Sequence, residues 1–158
     1  MNPVNARLLI VDDCPSMREI IGELMLDLGI GCVETAADGQ VALELLGQNQ
    51  YDLVLSDWNM PFFTGIQVLR AVRQGRVRSD TPIVLLSGDV TADRQAEAFE
   101  AGATDLLQKP YPTPQLCEKV LNIIASLAAA PEYLQAPHPE LFQGKSTGSS
   151  SPLFPSST

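Results

Sequence analysis

The sequence predicts an α/β fold, in which helices cover both faces of a parallel sheet. Short apolar runs alternate with helical apolar patterns five times along the first 130 of the 158 residues, which indicates repeated strand–helix units. The runs at 8–11 and 83–86 are continuously apolar, as expected of strands that are buried on both faces. Glycine follows four of the helical patterns, where it commonly ends a helix.

The first two units span residues 7–47. Residues 7–11 predict the first strand, and residues 32–36 predict a second, weaker one. The first helix is expected to end at Gly29, and its apolar residues at helical spacing are Met17, Ile20, Ile21, Leu24, Met25 and Leu28. The second helix is expected to end near Gly47, and it is marked by Val41, Ala42, Leu45 and Leu46.

The third and fourth units continue the alternation. Residues 53–56 predict the third strand. The helix after it is expected to stop near Gly75, and its pattern consists of Ile66, Leu69, Val72 and Arg73. Residues 82–86 predict the fourth strand, and residues 92–101 predict a fourth helix that breaks at Gly102.

The fifth unit completes the sheet. Residues 105–108 predict a short strand, and a last helix is expected to end before Pro131. The apolar stripe of this helix is Leu116, Val120, Ile123, Ile124 and Leu127. Five such units favour a doubly wound, five-stranded parallel sheet with five helices and the flavodoxin-like strand order 2-1-3-4-5.

The composition excludes several classes of protein. The formal net charge of −9 opposes non-specific nucleic-acid binding, which needs clustered Lys and Arg. No apolar run approaches the ~18 residues of a membrane span, and the N-terminus lacks the plan of a signal peptide. Cys14, Cys32 and Cys117 are widely spaced, which indicates reduced thiols instead of disulfides or a zinc site. We therefore expect a cytoplasmic protein that binds neither nucleic acid nor a membrane.

Residues 131–158 differ from the predicted domain at 5–130. They contain five prolines and six serines and show no helical or strand period, so a flexible C-terminal tail is predicted. Apolar pairs such as Tyr133-Leu134 and Leu141-Phe142 leave docking onto the domain or a partner as an alternative to a solvated linker.

Polar residues stand at the carboxyl ends of four predicted strands. Asp12 and Asp13 follow the first strand, Asp57 the third, Ser87 the fourth and Lys109 the fifth. In doubly wound folds, ligands bind beyond these strand ends, where the strand order reverses. Each residue alone fits a plain structural role, such as a helix cap, a turn or a surface lysine. Their coincidence at the ends of one sheet favours a functional site.

Three carboxylates in one crevice require positive charge. Two carboxylates ~4 Å apart repel each other by ~4 kcal/mol at an effective dielectric near 20. Lys109 supplies one positive charge, and Mg²⁺, which prefers oxygen ligands and accepts phosphate oxygens, would supply two more. Such a cluster neutralises the charge of a phosphoryl group during its transfer. The sequence therefore predicts a Mg²⁺-dependent phosphoryl-transfer site.

Several stretches resemble the receiver domain of two-component response regulators: LLIVDDCPSMR, AADGQVAL, DLVLSDWNMPFFTGIQVL, PIVLLSGD and AGATDLLQKPY. The resemblance covers residues 5–130, and the DWNMP motif is most like the single-domain chemotaxis regulators. It implies that Asp57 accepts a phosphoryl group from a histidine kinase or histidine phosphotransfer protein. The chain would catalyse its own Mg²⁺-dependent phosphorylation and dephosphorylation without being a conventional enzyme. It would signal to a downstream protein through a phosphorylation-dependent interaction surface.

The resemblance also implies how the metal and the acceptor are held. Asp13 and Asp57 would bind Mg²⁺ together with the backbone carbonyl of Asn59, and Asp12 would hold a metal-bound water. Lys109 would pair with a phosphoryl oxygen, and the peptide bond from Lys109 to the following proline would be cis.

Further roles follow from the same resemblance. Ser87 would hydrogen-bond a second phosphoryl oxygen and act in the switch between the two signalling states. Gly88, Asn59 and Asp89 fall where side chains tune the lifetime of the phosphoryl group. Leu106 departs from the family pattern, because receivers usually carry an aromatic switch residue at this position. We expect Leu106 to be largely buried with or without the phosphoryl group, since it has no hydroxyl to hold it outward.

Two other functions fit parts of the pattern. A phosphatase of the haloacid-dehalogenase kind also uses an Asp nucleophile and Mg²⁺ on a doubly wound sheet, but it needs a second Asp where this chain has Asn59. A flavin- or nucleotide-binding domain needs a Gly-rich loop after the first strand, whereas residues 12–15 read Asp-Asp-Cys-Pro. The receiver is therefore the leading hypothesis.

Overall fold

The computed structural model describes residues 1–76 and 80–128. The strands are β1 (Arg7–Val11), β2 (Cys32–Ala36), β3 (Leu53–Asp57), β4 (Ile83–Ser87) and β5 (Asp105–Gln108). The helices are α1 (Pro15–Asp27), α2 (Gly39–Gln48), α3 (Gly65–Ala71), α4 (Ala92–Glu100) and α5 (Thr113–Ala128). A 3₁₀ turn (Pro3–Asn5) precedes β1, and a π-helical turn (Val72–Arg76) follows α3. The strands are parallel and lie in the order β2-β1-β3-β4-β5, which confirms the predicted fold.

The core consists of two apolar layers, one on each face of the sheet. Side chains alternate along each strand, so Leu9 and Val11 of β1 belong to one layer and Leu8 and Ile10 to the other. Helices α2, α3 and α4 contribute to the layer that contains Leu9, and helices α1 and α5 contribute to the layer that contains Leu8. Every residue of β3 and β4 is buried, because helices cover both faces of these strands.

The ends of the first four helices follow the predictions. Gly29, Gly75 and Gly102 take positive φ values at three predicted helix ends, a conformation that other residues adopt only at a cost. The second helix, α2, ends at Gln48, one residue after Gly47, as predicted. Among the glycines of residues 1–76 and 80–128, only Gly29, Gly75 and Gly102 take positive φ. At these three helix ends, the backbone turns left-handed at a glycine.

The loop between β3 and α3 is held tightly against the end of β3. The Gly65 N–H donates to the Trp58 carbonyl at 2.8 Å and closes the loop. A Cβ on Gly65 would lie 2.3 Å from the Asp57 carbonyl oxygen, so the close approach requires glycine. The Thr64 hydroxyl accepts the Gln67 N–H and the Gln67 side chain accepts the Thr64 N–H, which forms a capping box at the start of α3. The loop is thereby fixed beside Asp57 at both of its ends.

The predicted tail at 131–158, and with it the predicted domain boundary at residue 130, lies outside the described residues. Among the helices of residues 1–76 and 80–128, none combines the length and the apolar character that crossing a bilayer requires.

Candidate functional site

The polar residues predicted at the strand ends lie at one edge of the sheet. Asp57 is the last residue of β3 and Ser87 the last of β4, while Asp12 and Lys109 directly follow β1 and β5. Lys109 Nζ donates to Asp57 Oδ1 at 3.1 Å and lies 3.9 Å from Asp12 Oδ2. The peptide bond from Lys109 to Pro110 is cis, as predicted. Asp12 and Asp57 are 2% and 9% exposed, so the lysine meets two carboxylates that are largely removed from water.

Asp12, Asp13 and Asp57 form an acidic cluster. One carboxylate oxygen of each residue lies within 4.8 Å of the other two. Asp12 Oδ1 accepts the Cys14 N–H at 2.9 Å, whereas Asp12 Oδ2 is buried and accepts no hydrogen bond from any described residue. A buried carboxylate oxygen without a donor is destabilised, and a cation would satisfy it. Because Mg²⁺ prefers oxygen ligands of this kind, these three residues fit the metal that the sequence predicts.

Burial and, to a smaller extent, nearby negative charge raise the pKa values of Asp12 and Tyr111. Burial raises the pKa of Asp12 above its ordinary value, and the charge of Asp57 raises it further against the lowering effects of the Cys14 N–H and Lys109. Burial also raises the pKa of the Tyr111 phenol, with smaller contributions from Asp12 and Asp57. A divalent cation in the acidic cluster would offset this excess charge.

Ser87 is buried, and its hydroxyl is fully hydrogen-bonded. It donates to the Asp89 carbonyl at 3.0 Å and accepts the Asp89 N–H at 3.1 Å. Arg94 Nη1 on α4 donates to the same oxygen at 3.3 Å. The Arg94 guanidinium also stacks on Trp58, with its central carbon 4.5 Å from the ring centroid. No sequence pattern singles out Arg94, because its contacts depend on where the first turn of α4 lies relative to Ser87 and Trp58.

The remaining predicted residues surround this centre. Asn59 and Asp89 are exposed. A Cβ on Gly88 would meet no atom within 4 Å, so this position borders open space. Leu106 is partly buried against the core layer that contains Leu9. The roles assigned to Asn59, Gly88, Asp89 and Leu106 stay predictions. The expectation that Leu106 keeps the same burial with a phosphoryl group also stays a prediction.

The fold and the site together define a doubly wound α/β domain with an acidic crevice at its strand ends that fits a metal ion. The model of the response regulator receiver domain matches residues 8–121 of the chain. The chain therefore belongs to the response regulator receiver domain family of two-component systems.

The chain is similar to several chemotaxis regulators. The chemotaxis protein CheY of Pseudomonas aeruginosa is 38% identical over 117 residues, which cover 74% of this chain and 94% of that protein. The structure of the chemotaxis response regulator CheY4 of Vibrio cholerae is 35% identical, has a TM-score of 0.70, and is matched over 75% of this chain and 98% of that chain. The receiver domain of a sensor histidine kinase from Pseudomonas aeruginosa, with a magnesium ion coordinated in its active site cleft, is 26% identical. Its TM-score is 0.69, and the match covers 76% of this chain and 98% of that domain.

Proposed function

We propose that Asp57 accepts a phosphoryl group from a phosphohistidine of a histidine kinase or histidine phosphotransfer protein. A carboxylate oxygen of Asp57 attacks the phosphorus, the P–N bond breaks, and the leaving imidazole takes up a proton. The product is an acyl phosphate on Asp57. The observation that carries the proposal is the 3.1 Å contact from Lys109 Nζ to Asp57 Oδ1 within a cluster that also contains Asp12 and Asp13.

The chain's own residues orient the acceptor and balance charge. Lys109 holds Asp57 Oδ1 and offers further N–H donors to a phosphoryl oxygen. Asp12, Asp13 and Asp57 would hold Mg²⁺ together with the backbone carbonyl of Asn59, and bound Mg²⁺ supplies charge neutralisation for the transferred group. Because Asp57 is attached to a loop fixed at both ends, the carboxylate is positioned before the donor arrives.

The signalling output depends on the loop after β4. Ser87 donates its hydroxyl proton to the Asp89 carbonyl in this structure, so it must release that bond before it can donate to a phosphoryl oxygen. The release moves residues 88–90, and a protein target reads the altered surface. The exposed Asn59 and Asp89 and the open space at Gly88 control how water reaches the acyl phosphate, and thereby its lifetime. Leu106 follows the loop with a smaller movement than an aromatic residue would make.

Labelling with acetyl phosphate tests the acceptor. With Mg²⁺, the protein should gain one phosphoryl group by intact-mass spectrometry, and the label should be lost in alkali, as expected of an acyl phosphate. Asp57→Asn should abolish the label, because its amide is not a nucleophile for this reaction. Asp93→Asn, at an exposed carboxylate of α4, is the matched control and should be labelled like the wild type.

Two results would move the acceptor or remove the function. A strong label on Asp57→Asn would place the acceptor at another residue. No label on the wild type at millimolar Mg²⁺, or equal labelling in excess chelator, would contradict Mg²⁺-dependent phosphorylation.

A further inference from the structure

Arg94 links α4 directly to the proposed phosphoryl site. Its Nη1 lies 3.3 Å from the buried Ser87 hydroxyl, and its guanidinium stacks on Trp58, the residue that follows Asp57. Trp58 is 4% exposed, so the stacked cation is partly shielded from water. These two contacts place the Arg94 charge on the Ser87 side of the crevice. Lys109, which directly follows β5, contacts Asp57 instead.

Among the described residues, no carboxylate neutralises the charge of Arg94. In the chain from 1–76 and 80–128, no acidic side chain lies within ion-pair distance of it. Arg70, an exposed arginine on α3, pairs instead with Glu97 at 3.2 Å. The positive charge of Arg94 is therefore available to an anion that binds beside Ser87 and Asp57.

The hydrogen bonds of Ser87 define what Arg94 can do. A hydroxyl has one proton and two acceptor lone pairs, and the Ser87 hydroxyl uses all three here. To donate to a phosphoryl oxygen, Ser87 must lose its bond to the Asp89 carbonyl through a movement of residues 88–90, and the Arg94 bond, which comes from α4, can remain. A hydroxyl that accepts a hydrogen bond from a cation is polarised, so it is a stronger donor to an anion.

We propose that Arg94 is a positioning residue for the phosphoryl group, acting through Ser87. It orients the Ser87 hydroxyl by occupying one lone pair, and it adds a second positive charge, besides Lys109, to a crevice that holds three carboxylates. It thereby favours the phosphorylated state. The inference rests on the proposed phosphorylation of Asp57, and it connects the occupancy of Asp57 to the first turn of α4.

Three substitutions separate charge from packing. Arg94→Met keeps an unbranched apolar stem, Arg94→Gln keeps an N–H donor without charge, and Arg94→Lys keeps the charge. Arg70→Gln is the matched control, because it removes one positive charge from an exposed arginine that pairs with Glu97, away from Ser87. Each variant is titrated with beryllofluoride at saturating Mg²⁺, with ¹⁹F NMR as the readout, and urea unfolding checks that it is folded.

The Met and Gln variants should bind beryllofluoride about ten-fold more weakly than the wild type, since a charge-assisted hydrogen bond is lost. Arg94→Lys should stay within about three-fold, because the charge remains although the stacking is poorer. Arg70→Gln should bind like the wild type. The deficit of the neutral variants should shrink in high salt, because Arg94 is only partly buried.

Unchanged affinity in both neutral variants would overturn the proposal, and so would an Arg94→Lys affinity as weak as that of Arg94→Met. The second result would mean that packing on Trp58, and not charge, is what Arg94 contributes. The acetyl phosphate labelling of wild-type Asp57 is measured in the same series. Absent labelling refutes the proposed function, whereas normal labelling with unaffected Arg94 variants refutes the role of Arg94 alone.

Discussion

Replacing Asp12 by Asn should make the metal-free protein more stable at neutral pH. Asp12 is 2% exposed, and its Oδ2 accepts no hydrogen bond from a described residue. The amide of Asn is nearly isosteric, and its oxygen can still accept the Cys14 N–H that Asp12 Oδ1 accepts. The substitution therefore removes a poorly compensated charge and leaves the local backbone bond in place.

The contacts of Asp12 set the size of the effect. Charges 4.8 Å apart, the outer limit within the acidic cluster, interact by about 3.5 kcal/mol at an effective dielectric of 20. Asp12 has two such neighbours, Asp13 and Asp57, whereas Lys109 at 3.9 Å attracts it by about 4.3 kcal/mol. The difference is a net repulsion of about 3 kcal/mol. Because Asp13 is exposed and therefore screened, we expect a gain of about 1–2 kcal/mol.

Urea unfolding at pH 7, with chelator and with Mg²⁺, measures the effect. Asp12→Asn should raise the free energy of unfolding in chelator, and Mg²⁺ should then stabilise it less than it stabilises the wild type. Glu23→Gln, at an exposed position of α1, is the control and should change stability by less than about 0.5 kcal/mol.

The raised pKa of Asp12 predicts how the stability difference between Asp12→Asn and the wild type changes with pH. Because the pKa of Asp12 is raised in the folded protein, folding favours the protonated form of this carboxyl. The wild type therefore loses stability as pH rises from the ordinary Asp range through the raised pKa. The advantage of Asp12→Asn should appear across that window and vanish below it. Lower stability of the variant in chelator at pH 7, or a difference that does not change with pH, would refute the reasoning.

Three further outcomes are expected. Mg²⁺ should change the fluorescence of the only tryptophan, Trp58, and Asp13→Ala should weaken the apparent Mg²⁺ affinity; an unresponsive emission would count against the metal site. Phe62→Asn should stabilise the fold by about 0.5–1 kcal/mol in urea unfolding, since Phe62 has a φ of 70° that Asn tolerates better; lower stability would contradict this. Tyr51→Phe should cost about 1–2 kcal/mol, because the buried Tyr51 hydroxyl donates to Glu34, and an equal unfolding free energy would disprove it.

The sheet could be predicted because strands that helices cover on both faces appear in the sequence as continuous apolar runs. The runs predicted at 53–56 and 82–86 lie within one residue of β3 and β4, which are buried throughout. The acidic cluster could be predicted for a related reason. Residues at the end of parallel strands, or directly after it, lie at one edge of the sheet, so the fold brings Asp12 and Asp57 close together.

Contacts between separate elements could not be predicted in this way. Arg94 contacts Ser87 and Trp58 because of where the first turn of α4 lies in the folded domain, and helical periodicity carries no information about that placement.

The loop from Trp58 to Gly65 is only eight residues long, yet its ends are fixed and its tip is exposed. Its ends are tied down beside Asp57 by a backbone hydrogen bond and by a glycine that tolerates no side chain. Its tip carries Phe62, which is 82% exposed and contributes to neither attachment. Side chains at the tip can therefore be exchanged, in nature or by design, to alter what the loop contacts, while the attachments that hold its ends beside Asp57 stay in place.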